Sequence, residues 1–165
     1  MTGIPTAQGW LYLAVILDLY SRLVVGWFMS AHRDETLVEC ALEMALLHRH
    51  PQAGLFHHSD RGSQYTSCQY REELAQAEMA VRMSRKANCW DNAPMESFFG
   101  TLKTEWVDRH SYRTHAEARL SIFEYIETFY NRKRRHSTLG YLSPVAYEHQ
   151  ESGKEEGEKR FIRLT

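Results

Sequence analysis

The sequence predicts an α/β fold in which a mixed sheet is covered by helices, and three observations carry that prediction. Trp10 to Ser30 holds two runs rich in Leu, Val, Ile and Tyr, broken at Asp18-Leu19-Tyr20-Ser21-Arg22. A capped helical pattern follows from Asp34. Beyond Pro51, short apolar runs alternate with helical ones. Strands first, then alternating helix and strand, is the element order of a mixed sheet with helices packed on it. The 165 residues suffice for one domain with a buried core, assigned to residues 1–149.

Trp10–Leu17 and Leu23–Ser30 read as a strand hairpin. The first run is apolar almost throughout, which suits an interior strand covered on both faces. Asp34-Glu35-Thr36 supplies capping residues, and Leu37, Cys40, Ala41, Met44 and Leu47 follow at helical spacing to about His48, where Pro51 ends the pattern. Gly54–Ser59 reads as a short strand and Asp60-Arg61-Gly62-Ser63 as the turn out of it. A helix over Ser67–Glu78 and a strand over Ala80–Met83 follow. Pro94 marks the first turn of another helix, with Met95, Phe98, Leu102 and Trp106 as its apolar stripe. The last long helix runs from His115 to about Lys133, with Leu120, Phe123, Ile126 and Tyr130 as inward candidates. From Gln150 to Thr165 the chain turns Glu-, Lys- and Gly-rich, the composition of a flexible charged tail.

Composition excludes several classes. An apolar share of 43% is that of an ordinary globular protein. The longest apolar stretch, Leu11–Leu17, is far too short to span a bilayer, and no basic segment precedes an apolar one at the N-terminus. Cys40, Cys68 and Cys89 have no CxxC spacing and suit a reducing cytoplasm. A formal net charge of −1 announces no nucleic-acid partner, so any such partner must be recognised by local charge.

Asp60, just past a strand end, and Glu96, in the first turn of a helix, hold positions where α/β folds place chemistry. Hard divalent ions take oxygen ligands, and two of them roughly 4 Å apart can serve the attacking and leaving oxygens of a phosphoryl displacement. Taken singly, Asp60 is equally a turn former and Glu96 a helix-dipole partner. Their surroundings decide between these readings. His57-His58-Ser59-Asp60-Arg61-Gly62-Ser63-Gln64-Tyr65 is one landmark. Asp91-Asn92-Ala93-Pro94-Met95-Glu96-Ser97-Phe98-Phe99, with Leu102-Lys103 and Glu105, is a second. Tyr130-Asn131-Arg132, Arg135-His136-Ser137, Leu139-Gly140-Tyr141 and Ser143-Pro144 make a third. Together they resemble bacterial insertion-sequence transposases whose catalytic core is similar to retroviral integrase. That family separates its second Asp from its Glu by thirty-five residues, as Asp60 and Glu96 are separated here. Gly9-Trp10-Leu11-Tyr12-Leu13-Ala14-Val15, Asp18, Ser21-Arg22 and Val25-Gly26-Trp27 also resemble the family's early strands. The resemblance covers roughly residues 4–147.

The resemblance implies a ribonuclease-H-like fold, Mg²⁺ or Mn²⁺ dependence, and DNA nicking and strand transfer by a polynucleotidyl transferase of the bacterial nucleoid. The family's first catalytic Asp lies in a Thr-Asp-Ile-Thr-Tyr-like strand just before Ile-Pro-Thr. Here only Met1-Thr2-Gly3 precedes Ile4-Pro5-Thr6, so the expectation is a largely missing first strand and two of three ligands, Asp60 and Glu96. Asp18 is not the substitute, because it belongs to the hairpin turn near Ser21 and Arg22. A strand left without its partner exposes an edge, and self-association is the expected consequence.

Several residues are candidates for DNA contact. Lys103 shares a helix face with Glu96 and Gly100, and Arg85, Lys86 and Asn88 occupy the loop before that helix. Arg132-Lys133-Arg134-Arg135 is the densest positive run, suited both to DNA phosphates and to a helix C-terminus. His57 and His58 point to opposite faces of their strand, so one is interior and the other, His58, approaches the site behind the metal ligands. Two other functions compete: a non-catalytic DNA-binding fragment of a broken transposase, and a stand-alone ribonuclease-H-like nuclease. The third landmark favours a transposase over the nuclease.

Overall fold

The structure is a computed structural model that describes residues 1–51, 53–59, 68–83, 89–152 and 163–164. Three antiparallel strands open it: β1 (Thr2–Thr6), β2 (Gly9–Leu17) and β3 (Val24–Ser30), in the order β1-β2-β3. Five residues of the first strand are therefore present, paired with β2 from Thr2↔Leu13 to Thr6↔Gly9. A second sheet has the order β5-β4-β6, built from β4 (Phe56–Ser59), β5 (Ala80–Met83) and β6 (Arg163–Leu164). Both neighbours run parallel to β4, with Arg163 opposite Phe56 and Leu164 opposite His57. Within the stretch read as a tail, Arg163 and Leu164 thus pair with the strand that leads to Asp60.

Helices cover both faces, and β2 shows why. Leu11, Leu13, Val15 and Leu17 enter one buried cluster with Phe98, Leu102, Ile122 and Ile126, while Ala14 and Ile16 enter another with Leu37, Ala41 and Leu74. Alternate residues of a strand face opposite ways, so a strand apolar at every position needs cover on both sides. The first cover is α3 (Cys89–Glu105) with α4 (His115–Phe123), and the second is α1 (Glu35–Arg49) with α2 (Cys68–Gln76). Helix α5 (Pro144–Ser152) follows late in the chain.

Local chemistry explains the boundaries. Asp34 caps α1, its Oδ1 accepting the Leu37 amide at 3.2 Å. His50 ends that helix in the left-handed region, just before Pro51. In the β2–β3 turn, Asp18 Oδ1 accepts the amides of Tyr20 (2.9 Å) and Ser21 (3.4 Å), an Asx-type turn. Its Oδ2 meets Arg49 at 3.1 Å, and Arg49 also pairs with Glu148. Burial raises the Asp18 carboxyl above its ordinary pKa, against the Tyr20 amide and Arg49.

Two helices present a different face from the one their spacing suggests. In α1 the buried residues are Leu37, Val38, Ala41, Leu42 and Ala45, while Leu47 is 63% exposed. The small side chains at 41 and 45 let the helix lie directly on Gly26 of β3, and that close approach selects the face. Helix α4 passes at Glu124 into a π-helical stretch that ends at Tyr130. There the hydrogen bonds reach five residues back, as from the Asn131 amide to the Ile126 carbonyl. Before that stretch Ala118 and Ile122 face inward while Leu120 is 69% and Phe123 49% exposed; within it Tyr125, Ile126 and Tyr130 are buried, the last two as their spacing suggests.

Asn131, directly after that stretch, is a buried clamp. Its Oδ1 accepts the Val24 amide and its Nδ2 donates to the Val24 carbonyl, both at 3.0 Å. One side chain thus completes the hydrogen bonding of the first residue of β3, 107 positions earlier. Among the described residues no helix is long and apolar enough to cross a membrane.

Candidate active site

Glu96 lies in the middle of α3 rather than in its first turn. The helix begins at Cys89, so Pro94 is inside it. A proline there removes one amide hydrogen bond, to the carbonyl four residues back. Phe98 and Leu102, both buried, anchor the helix downstream and hold its axis through that break. The predicted stripe is in place, with Met95 and Trp106 packed against the same cluster.

Glu96 is exposed and takes part in no ion pair among the described residues. Lys103, two turns on, is also exposed. Between them a Cβ added at Gly100 would meet nothing within 4 Å, so this face of α3 is open. A carboxylate and an ammonium therefore stand on one uncovered helix face, about 10 Å apart along the axis at 1.5 Å per residue. Asp60 follows Ser59, the last residue of β4, in sequence. Asp60, Arg85, Lys86 and Asn88 lie outside the described residues.

Among the described residues no three His, Cys, Asp or Glu side chains are grouped to hold a metal ion. The individual donors still differ in fitness for one. Glu96 is a hard oxygen donor with no cationic partner among the described residues, which suits a divalent ion. Asp18 has both oxygens engaged, by turn amides and by Arg49, and its place is structural.

His57 and His58 are both buried. His57 Nε2 lies 3.0 Å from the Tyr70 hydroxyl of α2, and alternation sends His58 to the opposite face of β4. Burial, with the charge of His58 adding to it, pushes the His57 imidazole down to about 4. The unfolded chain takes up this proton near pH 6.5 and the folded chain refuses it until about pH 4, so stability rises with pH across that window. From pH 6.5 to 5 the loss is about 1.6 kcal/mol. Urea midpoints at the two pH values should show this in the wild type, with a shallower slope in His57→Gln. Equal slopes would show that His57 does not carry the effect.

The basic run divides. Arg132, Lys133 and Arg135 are exposed. Arg134 is half-buried and donates to both oxygens of Glu105, at 2.9 and 2.8 Å, joining the end of α3 to the end of the π-helical stretch. The hydrogen bond from Arg134 lowers the Glu105 carboxyl below its ordinary pKa. Twenty-nine residues separate the pair, so nothing local in the sequence marks Arg134 as different from its neighbours. Arg49, which serves Asp18 and Glu148, is missed for the same reason.

Comparison with known proteins identifies the architecture. The integrase core domain family matches residues 1–89, and a second integrase core domain family matches residues 96–151. The transposase for insertion sequence element IS904 of Lactococcus lactis subsp. lactis is 51% identical over 148 residues, 90% of this chain and 58% of that protein. Transposase InsF for insertion sequence IS3fB of Escherichia coli K12 is 44% identical over 91% of this chain and 52% of its own length. The chain therefore spans about half the length of the curated relatives it matches. In fold it is similar to the catalytic core domain of BIV integrase, with a TM-score of 0.60 and 20% identity over 93% of this chain and 95% of that one. The antiparallel strands covered by helices on both faces, followed by parallel strands, thus make the ribonuclease-H-like fold of integrase cores, and the chain belongs to the integrase core domain family, among relatives that are insertion-sequence transposases.

Proposed function

We propose that this chain is a transposase catalytic core that nicks DNA and transfers the cut strand, with Asp60 and Glu96 as ligands of Mg²⁺ or Mn²⁺. The observation that carries the reading is Glu96: an exposed carboxylate with no ion-pair partner among the described residues, on an open helix face, with thirty-five residues between it and Asp60. The transposase names of relatives that align with nine-tenths of this chain support it. Bound divalent ions supply positive charge to the attacking and leaving oxygens of an in-line displacement at phosphorus.

The chain's own residues divide the remaining work. Asp60, beyond a strand end, and Glu96 offer hard oxygen donors from separate elements. His58, two residues before Asp60 and buried, positions the strand end. Lys103 meets a phosphate beside Glu96, and Arg132, Lys133 and Arg135 hold the DNA backbone without reading sequence, as do Arg85, Lys86 and Asn88 before α3. Arg134 acts through its pair with Glu105 and braces that surface. The setting of this chemistry is the bacterial nucleoid in the cytoplasm, and the working form is a self-associated one.

Metal binding tests the assignment directly. In Mn²⁺ titrations, Glu96→Gln and Asp60→Asn should each bind at least about tenfold more weakly than the wild type, a difference of about 1.4 kcal/mol. Equal affinity in all three proteins would refute the two carboxylates as ligands. Glu96 is exposed, so its variant should keep the wild-type circular dichroism and melting temperature.

A further inference from the structure

A cleft of about 600 Å³ lies between α3 and the turn that follows the π-helical stretch. Ser97, the neighbour of Glu96, forms part of its helical wall. Its volume falls within the roughly 300–1,000 Å³ of small-molecule sites. Among the described residues no carboxylate lines it, whereas Arg22 and Arg135 do, and neither makes an ion pair there. Arg134 also lines it but is neutralised by Glu105. The cleft therefore suits an anion.

Its remaining walls suit a base. Phe98 and Tyr130 meet edge to face at 4.8 Å, and His136 meets Tyr130 the same way at 5.0 Å, making an aromatic surface within the cleft. The Nε2 atom of His136 is buried without a hydrogen-bond partner. Burial, and then the charges of Arg134 and Arg22, push that imidazole down to about 4, so at neutral pH it is uncharged. The ring thus lines the cleft without adding charge.

Tyr141 also lines the cleft and is 69% exposed. Gly140 and Tyr141 both have φ of +62°, and Arg22 across the cleft has φ of +61°. Left-handed backbone is uncommon for residues other than glycine and is found at functional sites, where surrounding structure holds it. The turn keeps a large aromatic ring in solvent at a cleft it shares with two guanidinium groups that have no ion pair among the described residues. Aromatic rings so placed stack unpaired bases while cations hold the adjoining phosphates.

We propose that this cleft binds one unpaired nucleotide of the DNA strand, its phosphate on Arg22 and Arg135 and its base stacked on Tyr141. The inference rests on the DNA-processing reading above and adds to it a subsite beside Glu96 that favours a base out of the duplex.

Fluorescence anisotropy with two labelled duplexes tests it, one fully paired and one identical except for a single unpaired nucleotide. The wild type should bind the second about tenfold more tightly. Tyr141→Ala should lose most of that preference while keeping its affinity for the paired duplex within about twofold, and Tyr141→Phe, which retains the ring, should keep the preference. Equal binding of both duplexes by the wild type, or an undiminished preference in Tyr141→Ala, would overturn the subsite and leave the DNA-processing reading standing. Failure to bind either duplex would overturn both.

Discussion

Gly26→Val should cost more than about 4 kcal/mol of folding stability, beyond the usual range for a point substitution. A Cβ built on Gly26 comes within 2.2 Å of the Ala41 carbonyl oxygen and within 2.7 and 2.8 Å of the Cβ and amide nitrogen of Ala45. Two of these three atoms belong to the backbone of α1, so no side chain can swing aside to make room. The helix must lift from the sheet, and in doing so it opens the cluster of Ala14, Ile16, Val25, Leu37, Val38 and Leu42. Overpacking a core commonly costs 1–3 kcal/mol when side chains can adjust. Here the valine brings three carbons against rigid backbone, which takes the cost higher. Urea unfolding measures it, and Gly100→Ala is the control. Open space at Gly100 lets the alanine form without contact, so that change should raise stability by about 0.5–1 kcal/mol. A Gly26→Val protein within 1 kcal/mol of wild type would show that α1 does not approach β3 this closely.

The second large effect is expected at Asn131. Asn131→Ala strips the Val24 amide and carbonyl of their partners in one step, at a site where Asn131 is only 5% exposed. Each buried group left unpaired costs about 1–3 kcal/mol, so about 4 kcal/mol is the expected total. Asn131→Asp should recover little, because it keeps an acceptor for the amide but sets a second acceptor against the Val24 carbonyl. Hydrogen exchange provides the specific readout. The Val24 amide should lose protection in Asn131→Ala more than amides in the middle of β2. Unchanged protection at Val24 would mean that the clamp does not hold the strand end. The asparagine of the Tyr-Asn pair, one of the third landmark's marker residues, thus fastens the helical layer to β3.

The hairpin, α1, β5 and the apolar stripe of α3 were legible in sequence because local pattern decides them. Alternation marks a strand and a capping Asp marks a helix start, and neither depends on distant residues. The face on which α1 packs was not legible, since it depends on Gly26 lying beneath Ala41 and Ala45. Nor was the inward face of α4. There Ala118 and Ile122 face the core while Leu120 and Phe123 stay exposed, a choice made by packing and marked by no residue type.

The site divides in the same way. Sequence by itself singled out the pair Asp60 and Glu96 proposed as ligands, through their spacing and the residues around each, and it marked Asp18 as a turn residue. Tertiary structure decided what each charge is free to do. It joined Arg134 to Glu105 across 29 residues, engaged both oxygens of Asp18, left Glu96 and Lys103 on an open face, and brought Arg22 to a cleft with His136 and Tyr141. The physical reason is distance. Propensity and periodicity act over a few neighbouring residues, whereas ion pairs, burial and clefts form between segments that only packing brings together.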